Sequence, residues 1–210
     1  MLRFLRADEL PRFPALAETM FRDRARQFRD RLGWAVRVDA RGWEMDEYDR
    51  ANPLYVIWQA PDGSHLGSMR FLPTLGPTMV NDHFARLAPG GRIADPDTWE
   101  CTRFCLSERA EGRVSAALML GAAELGLGLG LARAVAVFDA RMVRIYRLLG
   151  WPPEILGSEG AGREAVSLGF WRFSPEIRLR MAGAAGIAPA LSRLWLTRAL
   201  GPDPLVARAG

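Results

Sequence analysis

Glu100 and Arg103 stand three residues apart inside an apolar, strand-like run, Trp99-Glu-Cys-Thr-Arg-Phe104. Charge in such a setting is costly unless it is paired or put to use. A carboxylate there can accept or orient a proton, and a guanidinium can grip another carboxylate. On a regular strand the two side chains point to opposite faces. A shared site therefore predicts a bulge or a splay between them. Asp46, Asp49 and Arg70 supply further charge upstream. The competing reading is a structural ion network of Asp46, Asp49, Arg70, Glu100 and Arg103.

Other reactive residue types give less. Cys101 and Cys105 lie on the same predicted strand, where they cannot close an ordinary disulfide, and two ligands do not make a zinc site. His65 and His83 are isolated, which points to packing or surface roles, and no Ser/His/Asp or Cys/His triad assembles from the sequence. Arg141, Arg144 and Arg147 fall along one side of a predicted helix, as a solvated face or as a surface for an acidic partner. Gly126, Gly128 and Gly130 precede a strand rather than follow one, so they read as the end of a helix, not as a dinucleotide fingerprint.

The elements that must position these residues follow from periodicity. Residues 8–32 place Leu16, Met20 and Phe21 against a dense Arg/Asp/Glu face and read as a helix. Arg24 and Phe28, four apart, then share a face. Residues 33–52, with Trp34, show no period and read as an irregular loop. Strands are predicted over 54–60 and 66–72, joined by the turn Pro61-Asp-Gly-Ser64, and over 99–106, 132–138 and 165–173. Helices are predicted over 80–87, 114–125 and 141–149, with a helical tail broken at Gly186 and Pro189. Strands separated by helices, plus one hairpin, imply an α/β sandwich around a mixed sheet.

At 210 residues, 49% apolar and 25% charged, the chain has the balance of one globular domain. All 28 basic residues are Arg. The net charge of +4 resides in the segment 178–210, which holds five Arg and one Asp. Neither aromatic–basic alternation nor zinc-finger spacing points to nucleic acid. The first ten residues contain Arg3, Arg6, Asp8 and Glu9 and lack a signal-peptide core. The apolar region 115–138 is interrupted by Glu124 and Arg133 and does not read as a membrane span. The expected setting is the cytoplasm.

In this order and at these spacings the residues resemble the acyl-homoserine-lactone synthases, the LuxI-type autoinducer synthases of quorum sensing. The resemblance is carried by Arg24, by Phe28-Arg-Asp-Arg-Leu-Gly-Trp34, by Glu44-Met-Asp-Glu-Tyr-Asp49, by Arg70 in Gly67-Ser-Met-Arg-Phe-Leu-Pro-Thr74, by Phe84 and by Trp99–Phe104. It covers most of the first 110 residues and loosens towards Gly150-Trp151. It implies a three-layer α/β/α sandwich with a splayed mixed sheet, like that of the GCN5-related N-acetyltransferases. The implied domain spans 1–210, with 1–52 as a mobile substrate-covering part and 178–210 as a basic tail.

The activity implied is transfer of an acyl group from an acyl-carrier-protein or acyl-CoA thioester to the amine of S-adenosylmethionine, with lactonisation and loss of methylthioadenosine. S-adenosylmethionine is then a substrate and no separate cofactor is expected. The resemblance assigns catalysis to Glu100, Arg70, Asp46 and Asp49, and S-adenosylmethionine binding to Arg24, Phe28, Trp34, Phe84 and Arg103. It assigns the acyl pocket to Thr102, Ala136, Phe138 and Met142, and carrier docking to Arg141, Arg144 and Arg147. An ordinary carboxylate pKa is poorly matched to deprotonating an amine unless burial raises it or a water relays the proton. Glu100 is therefore expected to act through a water or by orienting the amine rather than by direct abstraction. Ala136 offers no hydrogen bond to a 3-oxo group, so an unsubstituted chain is expected. The loop Arg109-Ala-Glu-Gly-Arg-Val114 departs from the acetyltransferase pyrophosphate motif at Val114. Alternative readings are a generic coenzyme A-dependent N-acyltransferase of the same fold and an inactive binding protein.

Overall fold

The hairpin Leu54–Gln59 (β2) and His65–Pro73 (β3) forms as its turn chemistry predicts, and the computed structural model extends it into a seven-stranded sheet. The structure describes residues 1–202; the end of the basic tail, with Arg208, lies outside them. The remaining strands are Leu2–Arg6 (β1), Thr98–Leu106 (β4), Arg133–Asp139 (β5), Glu154–Glu159 (β6) and Val166–Arg172 (β7), in the spatial order β1-β2-β3-β4-β5-β7-β6. Only β4 and β5 run parallel. Their ladder holds three pairs, Thr98–Arg133, Trp99–Ala134 and Glu100–Val135, and then stops. Beyond Glu100 the two strands diverge, which gives the sheet its splay.

Helices cover both faces. On one face Pro14–Ala25 (α1) packs Leu16, Met20 and Phe21 against Tyr55 and Ile57. The short helix Met79–His83 (α2) seats Val80 with Val135 and Leu168. On the other face Arg113–Gly128 (α3), Pro175–Ala185 (α5) and Pro189–Leu200 (α6) close the main core around Trp99. Ala140–Leu149 (α4) starts at an Asp139 cap and adds Tyr146 to that core. The three layers follow from strands buried on both faces.

Several elements differ from the sequence expectation. The helix read over 8–32 is three pieces: a 3-10 turn over Ala7–Arg12, then α1 started by Pro14, then a π-helical turn over Arg26–Arg31. Pro11 and Pro14 account for the break, since proline suits a helix start rather than its interior. β1 pairs along its whole length with β2, so the first residues of the segment 1–52 are an edge strand of the sheet. α3 runs past Gly126. A Cβ there would lie 2.4 Å from the Phe173 ring, so this glycine serves close packing, while Gly130 takes the left-handed turn (φ +63).

Candidate active site

Six charged side chains from four parts of the chain meet on the α1 face of the sheet. Arg24 projects from α1, Arg70 from β3 and Arg103 from β4, while Glu44, Asp46 and Asp49 come from the loop before β2. Arg24 donates through Nε to Glu44 at 2.6 Å and as a two-pronged fork to Asp49 at 2.9 Å on each side. Arg70 holds Asp46 with both terminal nitrogens, lies 2.9 Å from Asp49 and donates through Nε to Thr102 Oγ1 at 3.0 Å. Arg103 Nη2 lies 2.8 Å from both Glu44 and Asp46. Tyr55 donates its hydroxyl proton to Asp49 at 2.6 Å. Three guanidinium groups therefore offset three carboxylates.

Burial makes that balance obligatory, because Arg24, Arg70 and Glu44 are at most 1% exposed. Burial works against the charge on Arg24, but Asp49 and Glu44 outweigh it and hold its pKa well above the ordinary value. Burial likewise opposes ionisation of Asp49, yet Arg24 and Arg70 hold it far below the usual carboxylate range. Removing one member would leave its partners uncompensated in a dry environment.

Arg103 reaches this cluster through a β-bulge. Between the pairs Ser68–Cys105 and Arg70–Thr102, β3 advances two residues and β4 three. Arg103 takes φ +53, one of two non-glycine residues with positive φ among those described. A left-handed residue is costly for a side chain with a Cβ and persists where its surroundings fix it. Here Glu44 and Asp46 do so. The bulge turns Arg103 to the same face as Glu100 and Thr102, and its Nη1 makes none of the bonds above.

Glu100 stands apart from the ion network. Its carboxylate accepts the backbone N–H groups of Val80 at 2.5 Å and Met79 at 3.2 Å, at the start of α2. Burial pushes its pKa up to about 7, against the opposing pull of the Val80 N–H and Arg70. Burial is thus the source of an upward shift that the sequence alone leaves open. A group poised near neutrality is matched to proton transfer at physiological pH.

The splay between β4 and β5 opens a cleft of about 190 Å³. Its outer wall is the π-helical turn with the first loop residues after it. There Phe28 and Trp34 stack with centroids 5.2 Å apart, and Arg103 lies over the Phe28 ring at 5.2 Å. An apolar chamber of about 30 Å³ continues inward, sharing Cys101, Phe104, Ala136 and Tyr146 with the cleft. It ends against a wall in which Phe138, Tyr146 and Trp171 meet edge to face.

The structure thus gathers Arg24, Asp46, Asp49, Arg70 and Arg103 in one cluster, and Phe28, Trp34, Thr102, Arg103, Ala136, Phe138 and Met142 around one cleft. Arg24 is sealed beneath the cleft rather than closing over it. Phe84 packs among Val80, Leu87 and Val135, away from the cleft. Arg141, Arg144 and Arg147 are all exposed on α4, with Arg141 on the cleft rim and paired to Asp139 at 2.7 Å. Sequence reasoning missed Glu44, which joins Arg24 to Arg103; it stood in the same motif phrase as Asp46 and Asp49. It also missed a buried chain in which His65 links Asp23 (2.8 Å) to Ser68 (3.0 Å) and so ties α1 to β3. Asp23 and Ser68 are both buried, and neither they nor His65 line the cleft.

Residues 11–176 match the family model described as autoinducer synthase. Among curated proteins, an acyl-homoserine-lactone synthase of Rhizobium etli is 40% identical over 178 residues, 81% of this chain and 84% of that protein. The solved structure of LasI, an acyl-homoserine-lactone synthase, superposes with a TM-score of 0.74 at 26% identity, covering 87% of this chain and 94% of its own. BjaI, a CoA-dependent acyl-homoserine lactone synthase solved with SAM and isopentyl-CoA, superposes with a TM-score of 0.80 at 22% identity, over 92% of this chain and 99% of its own.

Proposed function

The chain belongs to the autoinducer synthase family and is an acyl-homoserine-lactone synthase; on that premise we propose that S-adenosylmethionine occupies the cleft and the acyl chain the inner chamber. One observation carries this reading: the bulge at Arg103 turns its guanidinium into the cleft, on the face of β4 that also carries Glu100, and the cleft continues into an apolar chamber. The Arg103 guanidinium takes the substrate carboxylate through Nη1. The stacked rings of Phe28 and Trp34 give the sulfonium a π face, an attraction of about 0.5–2 kcal/mol. Glu44, Asp46, Asp49, Arg24 and Arg70 hold Arg103 in place and together balance its charge.

In this scheme the substrate ammonium passes a proton towards Glu100, and the neutral amine attacks the thioester carbonyl. Backbone N–H groups along the splayed edge of β4 are the donors available to the developing oxyanion. The amide forms and the thiol departs. The substrate carboxylate then closes the lactone by displacing methylthioadenosine. Both reactants are substrates, so the scheme uses no separate cofactor and places the enzyme in the cytoplasm, where such thioesters are made. No helix among the described residues is long and apolar enough to cross a membrane.

The donor is a thioester of an acyl-carrier protein or of coenzyme A. Arg144 and Arg147, exposed beside the cleft rim, suit an acidic carrier. The chamber is walled by hydrocarbon and ring faces, which favours an unsubstituted acyl chain. The test is incubation of the protein with S-adenosylmethionine and a panel of carrier-protein and CoA thioesters. The expected outcome is methylthioadenosine and an unsubstituted lactone in equal amounts from at least one donor of the panel. Thiol release without methylthioadenosine would indicate a generic N-acyltransferase, and mainly 3-oxo lactones would overturn the assignment of the chamber.

A further inference from the structure

A second concavity lies at the β1 edge of the sheet, away from the splay. This groove of about 370 Å³ is larger than the cleft and is lined by β1, the 3-10 turn over Ala7–Arg12 with Phe13, and the last turns of α6. It shares no lining residue with the cleft. β1 stands three strands from β4, about 14 Å away at the usual strand spacing. The acyl-transfer scheme makes no use of it.

Its charge is unbalanced. Arg3 from β1, Arg12 from the turn and Arg198 from α6 meet a single carboxylate, Glu9, which leaves an excess of two positive charges. Elsewhere arginines are matched: Arg24, Arg70 and Arg103 in the site, and the exposed Arg22, Arg86 and Arg109, all have acidic partners. Arg12 and Arg198 have no hydrogen-bond or ion-pair partner among the described residues. Arg3 gives its Nε to the neutral Gln59 side chain at 2.7 Å and lies over the Phe13 ring at 5.0 Å. Glu9 already accepts the Arg6 N–H at 2.8 Å. Like charges gathered in one concavity repel, and an anion between them offsets that repulsion.

The form of the groove narrows the choice of anion. Guanidinium forks suit phosphate oxygens, and an excess of two charges matches a diphosphate better than a single carboxylate. The volume is that of a small-ligand pocket. Trp195, half-buried and edge-on to Trp58 at 6.1 Å, adds ring surface beside Arg198. We propose that this groove binds a nucleoside diphosphate, with the diphosphate held by Arg3, Arg12 and Arg198 and the base against Trp195.

Isothermal titration of ADP into the full chain, with saturating S-adenosylmethionine present to occupy the cleft, tests the assignment. ADP should bind at one site per chain, and AMP, with one phosphate fewer, about 10-fold more weakly. Arg12→Gln and Arg198→Gln should each weaken ADP by about 10-fold or more, the loss of one charged contact. Both side chains are exposed and outside the cleft, so the unliganded thermal midpoint and methylthioadenosine release should stay at wild-type values. The proposal is overturned by ADP that does not bind at about 5 mM, that binds both variants as it binds the wild type, or that S-adenosylmethionine displaces. Inorganic pyrophosphate binding as tightly as ADP would overturn the nucleoside part of the assignment.

Discussion

Two kinds of buried charge share this site and are treated in opposite ways. Asp49 is clamped by Arg24 and Arg70 and stays ionised, whereas Glu100 receives only backbone N–H groups and is raised to about 7. The first arrangement fixes geometry and the second keeps a proton in play. Glu100 therefore predicts an ascending limb in the kcat profile with an apparent pKa of about 7, since the carboxylate must be ionised to accept a proton. Glu100→Gln should lower kcat by about 10²–10⁴-fold and abolish that limb, as read from rates between pH 5.5 and 8.5. A limb unchanged in position in the variant's residual activity would assign it to another group. The charged residue types were legible in the sequence, and so was the resemblance that ordered them. Glu44 was not, because its role exists only where Arg24 and Arg103 converge from separate elements. The raised pKa was equally hidden, since burial is a property of the folded chain.

Among the elements, β4 does most to shape the site: it ends its pairing with β5 at Glu100 and bulges at Arg103. That irregularity was readable from the sequence, since Glu100 and Arg103 can serve one face only if the strand departs from strict alternation. The missed strands had weak signals for physical reasons. β1 is five residues with charges at Arg3 and Arg6, and β6, Glu-Ile-Leu-Gly-Ser-Glu, is a half-exposed edge. α3 contributes at a distance. Gly126 lets Phe173 pack against the helix, and Phe173 also lines the inner chamber. Gly126→Ala should push that ring aside, destabilising by about 1–3 kcal/mol through overpacking. The thermal midpoint should fall by about 2–10 °C, and the product spectrum should shift to shorter chains as the ring enters the chamber. A stable variant with an unchanged spectrum would show that the ring relaxes away from the chamber.

Across the whole molecule, the buried titratable groups pull stability in opposite directions with pH. His65 ties α1 to β3, and burial lowers its pKa against the opposing influence of Asp23. The unfolded chain binds a proton at His65 near 6.5 and the folded chain resists it, so stability is full above that value and falls as pH drops below it. Glu100 does the reverse. Its folded pKa of about 7 exceeds the ordinary 4.5, so folding favours the protonated form and stability rises as pH falls through 7 towards 4.5. Between pH 6.5 and 5 the two contributions oppose each other, each up to about 1.4 kcal/mol per pH unit. Urea midpoints of the wild type should therefore change little over that interval. Single substitutions should unmask the hidden slopes: His65→Gln should become more stable as pH falls from 6.5 to 5, and Glu100→Gln less stable. Slopes in both variants equal to that of the wild type would mean that these groups do not titrate in opposition. Slopes of the predicted signs would show that folding raises the pKa of Glu100 and lowers that of His65 within the same sheet.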